Sequence, residues 1–243
     1  RVSVPVSIVS TGDRGKNTAM SETAYDGLLL DHDGVVVTLS SMSVLQTATA
    51  EAFADVGVSD PRPEDVDSVT IRVSPEELSS VASRYDVDPD RLWRCREDRI
   101  ESTLRTETEI GRKAPYDDVA SLERVDAPIG IVSNNQARIV DFVLRTHGLS
   151  EHVEAIHARE PTRDSLHRKK PRPTYLEAAA TDIGCSNPLY VGDSESDIVA
   201  GQRAGFDTVF LRRTHNAKRQ LDAEPSFEAE SLRSVVELLG PSV

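Results

Sequence analysis

Lysine is nearly missing from this chain. Only five of its 28 basic residues are lysine (Lys16, Lys113, Lys169, Lys170 and Lys218); the other 23 are arginine, and 41 acidic side chains bring the net charge to −13. That balance excludes a general affinity for nucleic acid, because phosphate backbones need a net positive face. Cysteine is scarcer still. Cys95 and Cys185 stand far apart in neither a CxxC nor a metal-ligand spacing, so they are expected as free thiols in a reducing cytoplasm. No apolar run reaches the roughly 18 residues a transmembrane helix needs, and no membrane partner is expected. Aromatic residues are only 5% of the chain, but hydrophobic residues reach 38%. That is enough for a packed core and excludes wholesale disorder.

A chain of 243 residues suits one large domain or a core with an insertion. The first residues, RVSVPVSIVS, are too short and broken an apolar run for a signal peptide. Gly15-Lys16 suggests a phosphate-binding loop, but Asn17 replaces the required Ser/Thr and Ser10 stands where glycine is needed. Residues 1–19 are therefore expected to be a flexible, dispensable tail from an over-extended reading frame that should open at Met20.

Strands and helices then alternate. Short runs that are apolar on both faces, Gly27 to Leu30, Ile129 to Val132, Leu189 to Val191, Thr208 to Leu211 and a weaker Val153 to Ile156, read as strands of a buried parallel sheet. Ala137 to His147, Tyr175 to Ile183 and Ile198 to Ala204 read as helices, stopped by Gly148, Gly184 and Gly205. The alternation predicts an α/β fold with right-handed crossovers. It breaks between Leu39 and Ala114, where Ser43 to Val56, Pro75 to Tyr85 and Pro89 to Ile110 have helical patterns. Asp88-Pro89 is the start signal of the last of these. The stretch from Pro61 to Val73 reads as loop. Residues 20–38 and 115–243 thus form the core, and 39–114 a helical insertion.

Polar clusters fall at the carboxyl ends of the strands, where open α/β sheets place their sites. In Asp31-His32-Asp33-Gly34-Val35 two carboxylates lie two residues apart on extended chain, so they point the same way. Charges that close need a cation or a proton between them. Ser133-Asn134-Asn135 offers a hydroxyl and amides at a helix start, which suits an anion. Lys169-Lys170-Pro171-Arg172-Pro173 is a basic spot in a lysine-poor chain, and Gly192-Asp193-Ser194-Glu195-Ser196-Asp197 adds two carboxylates at a strand-to-helix turn. Carboxylates for a hard cation, donors for phosphate oxygens and an ammonium are the equipment of phosphoryl transfer.

Over residues 25 to 240, DHDGV, IVSNN, KPRP and GDSESD occur in order. On these motifs the chain resembles the haloacid dehalogenase (HAD) superfamily hydrolases of the phosphoglycolate phosphatase and β-phosphoglucomutase branch. The resemblance implies a Rossmann-like core whose helical insertion is a cap after the first strand. It implies a Mg²⁺-dependent phosphatase acting on a small phosphorylated metabolite through an aspartyl-phosphate. Asp31 would be the nucleophile, and Asp33 the general acid and then the base. Ser133 and the Asn134 backbone would hold a phosphate oxygen, and Lys170 would neutralise nucleophile and phosphate, with Lys169 its bystander. Asp31, Asp193 and the backbone carbonyl of Asp33 would bind Mg²⁺, and Asp197 would support the metal or Lys170. His32 departs from the apolar residue commonest there, and its ring is given no role. Mutase relatives usually have an acid where this chain has Gly192 and none at Asp197, so hydrolysis is expected over the phosphomutase alternative. Dehalogenases lack the second aspartate. A phospho-ligand-binding protein without turnover is the remaining reading.

Each residue also has a plain structural reading. Ser133 or Asn135 can cap the following helix, the lysine pair can be solvated, and Trp93 is expected in the core of the insertion. His147, His152 and His157 share no helix face. Arg72, Arg94 and Arg96 are candidates for reading the substrate, because arginine recognises anions well. The protein is expected to be a cytoplasmic monomer or homodimer. Its acid-rich, arginine-for-lysine composition resembles that of proteins from salt-loving archaea, so stability is expected to rise from low to molar KCl as self-repulsion is screened.

Overall fold

The fold was described from a computed structural model over residues 9–10 and 25–239. The Thr11–Asn17 stretch and Met20 lie outside these residues. Strands β1 (Val9–Ser10), β2 (Gly27–Leu30), β3 (Ile129–Gln136), β4 (Ala155–Arg159), β5 (Pro188–Gly192), β6 (Thr208–Leu211) and β7 (Phe227–Ala229) form one sheet in the order β1-β7-β6-β5-β2-β3-β4. All pairs are parallel except β1 with β7. The central strand explains itself: Leu28, Leu29 and Leu30 are fully buried, and burying such a side chain is worth about 1.5–3 kcal/mol.

Two strands depart from expectation. Val9 and Ser10 pair antiparallel with Glu228 and Phe227. A piece of the expected N-terminal tail therefore closes the sheet edge that β7 would otherwise expose. Strand β7 itself, three residues with polar Glu228 at its centre, is too short to leave an apolar signature.

Four helices lie between β2 and β3: α1 (Met42–Asp55), α2 (Pro63–Thr70), α3 (Pro75–Arg84) and α4 (Pro89–Glu109). Their starts are set locally. Ser41 caps α1, Ser74 and Glu77 form a reciprocal capping box on α3, and Asp88 accepts from the Arg91 amide at the start of α4. Helix α2 occupies the stretch expected as loop. Pro63 at its first turn and Glu64 and Asp65 behind it fit a helix start. Only Val66 and Val69 supply an apolar face, too few for a readable period.

The insertion has its own core around Phe53, Val69, Leu78, Leu92 and Trp93. Ile100 and Leu104 of α4 pack instead into the sheet's core. Its two connections are tied together, with Thr38 N–H donating to the Ala114 carbonyl at 2.9 Å and Ala114 N–H to Thr38 Oγ1 at 3.1 Å. The remaining helices, α5 (Ala137–Thr146), α6 (Thr174–Asp182), α7 (Glu195–Ala204) and α8 (Leu232–Leu238), cover the sheet. No helix among the described residues is long and apolar enough to cross a membrane.

Candidate active site

The chain runs from β2 to β3 and β4 on one side of the sheet and returns to β5 on the other, so β2 stands at a topological switch point. Ligands gather at the carboxyl ends of strands there, and all four polar motifs converge on that edge.

Asp31 follows β2 and is buried. Its Oδ1 lies 2.8 Å from Lys170 Nζ and accepts the His32 amide at 2.7 Å; Oδ2 has no hydrogen bond among the described residues. Lys170 is buried too. Its ammonium lies 2.7 Å from Asp197 Oδ1, and it donates to Tyr190 Oη and the Val132 carbonyl at 3.1 Å each. Asp197, in the first turn of α7, is fully engaged, because it also accepts from the Tyr190 hydroxyl and from Ser194. Asp193 Oδ2 lies 2.6 Å from His215 Nε2. Two glycines make this crowding possible. A Cβ on Gly34, whose φ is +87°, would lie 2.1 Å from Asp193 Oδ2, and one on Gly192 would lie 2.1 Å from the Asp197 Cβ.

Carboxylate oxygens of Asp31, Asp193 and Asp197 lie within 4.8 Å of one another, with Lys170 the one lysine among them. Burial pushes the Asp31 carboxyl well above the usual carboxylate range; Lys170 opposes this, and Asp197 and Asp193 add to it. Burial also raises Asp193, with His215 opposing and Asp197 adding. Lys170, Ser194 and Tyr190 outweigh burial at Asp197 and hold it low. A surplus of buried carboxylate is what a hard divalent cation relieves, and Asp31 and Asp193 retain oxygens for one. The donor set therefore fits Mg²⁺.

The expected phosphate-side residues meet the same edge. Ser133 is buried, and its Oγ accepts the Asn135 amide at 3.1 Å, so it caps the turn. The Asn134 side chain clamps the backbone of Lys170, accepting from its amide at 2.7 Å and donating to its carbonyl at 3.1 Å. Lys169 turns away from Lys170. Its ammonium donates to the Val73 carbonyl and so joins core to insertion.

Asp33 has neighbours that composition could not name. The wholly buried Lys113, from the second connection of the insertion, donates to its Oδ1. Asn135 Nδ2 donates to Oδ2 at 2.9 Å, and His32 Nδ1 lies 3.2 Å from the same oxygen. Burial would raise this carboxyl, but Lys113 and His32 overcome it and hold Asp33 far below the usual range. Two signals were available: Lys113 is one of only five lysines, and His32 sits inside the motif. The His32 ring, given no role from sequence, thus touches Asp33, and its buried Nε2 has no hydrogen-bond partner among the described residues.

Of the three arginine candidates, Arg72 and Arg96 line a cavity of about 250 Å³ that reaches Asp33; Arg94 is exposed and not among its walls. Trp93 is core, as expected, with the guanidiniums of Arg96 and Arg159 each 5.0 Å from its ring centre.

The chain is 28% identical over 130 residues to the pyrophosphatase PpaX of Oceanobacillus iheyensis, covering 52% of this chain and 59% of that protein. It is 26% identical over 174 residues to the (S)-2-haloacid dehalogenase of a Pseudomonas species, covering 66% and 74%. The match thus spans less than two thirds of the pyrophosphatase's length. Among solved structures, a protein of Haemophilus somnus described as a predicted phosphoglycolate phosphatase superposes with a TM-score of 0.65 at 18% identity, covering 89% of this chain and 99% of that one. The model of the haloacid dehalogenase-like hydrolases matches residues 28–211, and the chain belongs to that family.

Proposed function

We infer that this hydrolase is a Mg²⁺-dependent phosphatase of small phosphorylated metabolites that works through an aspartyl-phosphate. The observation that carries the reading is the Lys170 ammonium held between Asp31 and Asp197, beside a buried surplus of carboxylate. A carboxylate oxygen of Asp31 attacks phosphorus as the ester P–O bond breaks, and the leaving oxygen takes a proton from Asp33. Asp33 then takes a proton from water as its oxygen attacks phosphorus, which releases phosphate and frees Asp31. Lys113 and His32 keep Asp33 ionised, the form the second half needs. A dianionic phosphate arriving beside it raises its proton affinity for the first half.

Lys170 neutralises charge on Asp31 and on the phosphoryl group, and Asp197 fixes where that ammonium sits. Ser133 and the Asn134 amide supply donors to phosphate oxygens. Asp31, Asp193 and the Asp33 carbonyl would hold Mg²⁺, which when bound draws charge from the phosphoryl oxygens and keeps the buried carboxylates ionised. The helical insertion acts as a cap that excludes water from the site.

The mutase alternative is disfavoured by packing. Gly192 abuts Asp197 so closely that a side chain there has no room, so the acid of mutase relatives at that position and this chain's Asp197 exclude each other. The presence of Asp33 speaks against dehalogenation.

The test is hydrolysis of p-nitrophenyl phosphate with and without Mg²⁺. Turnover should require the cation and fall by at least about 1,000-fold in Asp31→Asn, the scale of losing a covalent nucleophile. Undiminished turnover in that variant would overturn the assignment.

A further inference from the structure

One side chain at the carboxylate cluster takes no part in the proposed chemistry. His215 lies in the loop after β6, with its Nε2 2.6 Å from Asp193 Oδ2. At that distance a ring nitrogen and a carboxylate oxygen share one proton. With Asp193 ionised, as a metal ligand is, the proton sits on Nε2 and the bond is charge-assisted.

The three carboxylates differ in how they are tethered. Asp31 is fixed by the His32 amide and Lys170. Asp197 is fixed by Lys170, Tyr190 and Ser194. For the Asp193 carboxylate the one hydrogen-bond partner among the described residues is His215. The same loop holds the backbone behind it. Asn216 is buried and donates through Nδ2 to the carbonyls of Asp193 and Leu211 at 2.9 Å each. Its Oδ1 accepts the Arg213 amide at 2.7 Å, which fixes the turn from which His215 projects. Arg213 is anchored in turn, donating to Asp118 at 2.8 and 3.0 Å and to the Val35 carbonyl at 2.9 Å. The third wall is Gly34. A Cβ there would lie 3.3 Å from His215 Cε1 as well as against Asp193 Oδ2, so ring and oxygen both pack on the backbone of the first motif. A rigid loop thus aims one imidazole at one oxygen and leaves Asp193 Oδ1 without a hydrogen bond among the described residues.

We propose that His215 is a positioning residue for the divalent cation. It fixes the side-chain rotamer of Asp193 and so sets how tightly the ion is held. The ring is not among the ligand atoms that lie within 4.8 Å of one another, so it acts through Asp193. This rests on the reading of Asp31 and Asp193 as Mg²⁺ ligands in a phosphatase. Hydrogen-bond partners of metal ligands are worth about 10–100-fold in metal affinity.

The experiment measures cation affinity directly, at one fixed pH. Mn²⁺ binds the same oxygen donors as Mg²⁺, and its free ion gives an electron paramagnetic resonance signal that is lost on binding. Mg²⁺ is then read by competition. In His215→Ala the dissociation constants of both ions should rise by about 10–100-fold. His215→Gln, whose amide N–H can replace the ring N–H, should recover most of that loss. The His215 side chain is 23% exposed, so the variants should fold, as checked by their urea midpoints in EDTA. Should His215→Ala not fold, His215→Leu, which keeps the bulk, takes its place with the same expectation. Unchanged dissociation constants in a folded His215→Ala would overturn the proposal, and a lower urea midpoint alone would mark the histidine as merely structural. A His215→Gln protein that folds but binds as weakly as His215→Ala would overturn it too. A wild type that binds neither ion would instead overturn the metal site beneath the proposal. One that binds both but leaves p-nitrophenyl phosphate intact would overturn the phosphatase reading, with the role of His215 still decided by the two variants.

Discussion

Two buried charge clusters of this protein are built in opposite senses. At the strand ends Asp31, Asp193 and Asp197 surround Lys170. Across the cavity Arg96 and Arg159 enclose Glu97. Each is held by short hydrogen bonds, and each leaves charge unbalanced. A fold selected for stability alone would pair these groups evenly or replace them with apolar side chains. The first surplus asks for a cation, whereas the guanidiniums of the second also donate to the carbonyls of Val69, Thr70, Asn134 and Glu160. Asp33 is matched by Lys113. The net charge of −13 therefore says little about the site, because the local balance differs between the two clusters.

The comparison breaks most visibly at Glu97. Glu97→Ala would leave two buried guanidiniums without a counterion and cut the tie between α4 and β4. Breaking a buried pair this way costs about 3–5 kcal/mol, measurable as a lower urea midpoint at constant slope. A cost under about 1 kcal/mol would mean that water or Arg rotamers relieve the charge, and that the cluster is less positive than it looks.

The carboxylate cluster should respond in the opposite direction. Asp193 is raised above its ordinary range, so the folded state opposes its ionisation. By linkage, removing that charge at neutral pH stabilises the metal-free protein. Asp193→Asn in EDTA should be more stable than the wild type, read as a higher urea midpoint. The wild type should gain more from the metal itself, about 2.7 kcal/mol at a Mg²⁺ concentration a hundred times its dissociation constant. For a chain this long that is roughly a 5–10 °C rise in Tm. The Mg²⁺ shift should vanish in Asp193→Asn. An undiminished shift there would move the cation site away from Asp193.

The two clusters also differ in how far the sequence announced them. Asp31, Ser133, Lys170 and Asp193 each follow a strand or precede a helix, so a local pattern places them at one edge of the sheet before any contact is known. The guanidinium cluster has no such pattern. Arg96 and Glu97 sit on α4, Arg159 at the end of β4 and Arg72 in the turn after α2. Only the docking of insertion on core brings them together. Lys113 was hidden for the same reason, since its partner Asp33 is 80 positions away in the chain. Helix α2 was hidden by too small an apolar face. Strand β1 was hidden because two residues carry no period at all, and its position at the sheet edge depends on β7, itself only three residues long.

The smallest effect tests how far the positive surplus extends. Lys169 is half-buried, faces Arg159, Arg96 and Glu77, and donates to the Val73 carbonyl. Its proton affinity is lowered to about 8 from 10.5. The sign follows from proton counts. Between those two values the unfolded chain holds a proton that the folded chain has released, so this group adds stability as pH rises through that window. Below pH 8 both states are charged, and the folded state bears the cost of the buried ammonium. Lys169→Met should therefore be more stable than the wild type at pH 7, and the advantage should shrink toward pH 10, read as the difference between urea midpoints. Partial exposure keeps the effect below that of Glu97. If the two proteins run parallel from pH 7 to 10, the surplus stops at the arginines around Glu97, and Lys169 serves only to tie the insertion to the core through Val73.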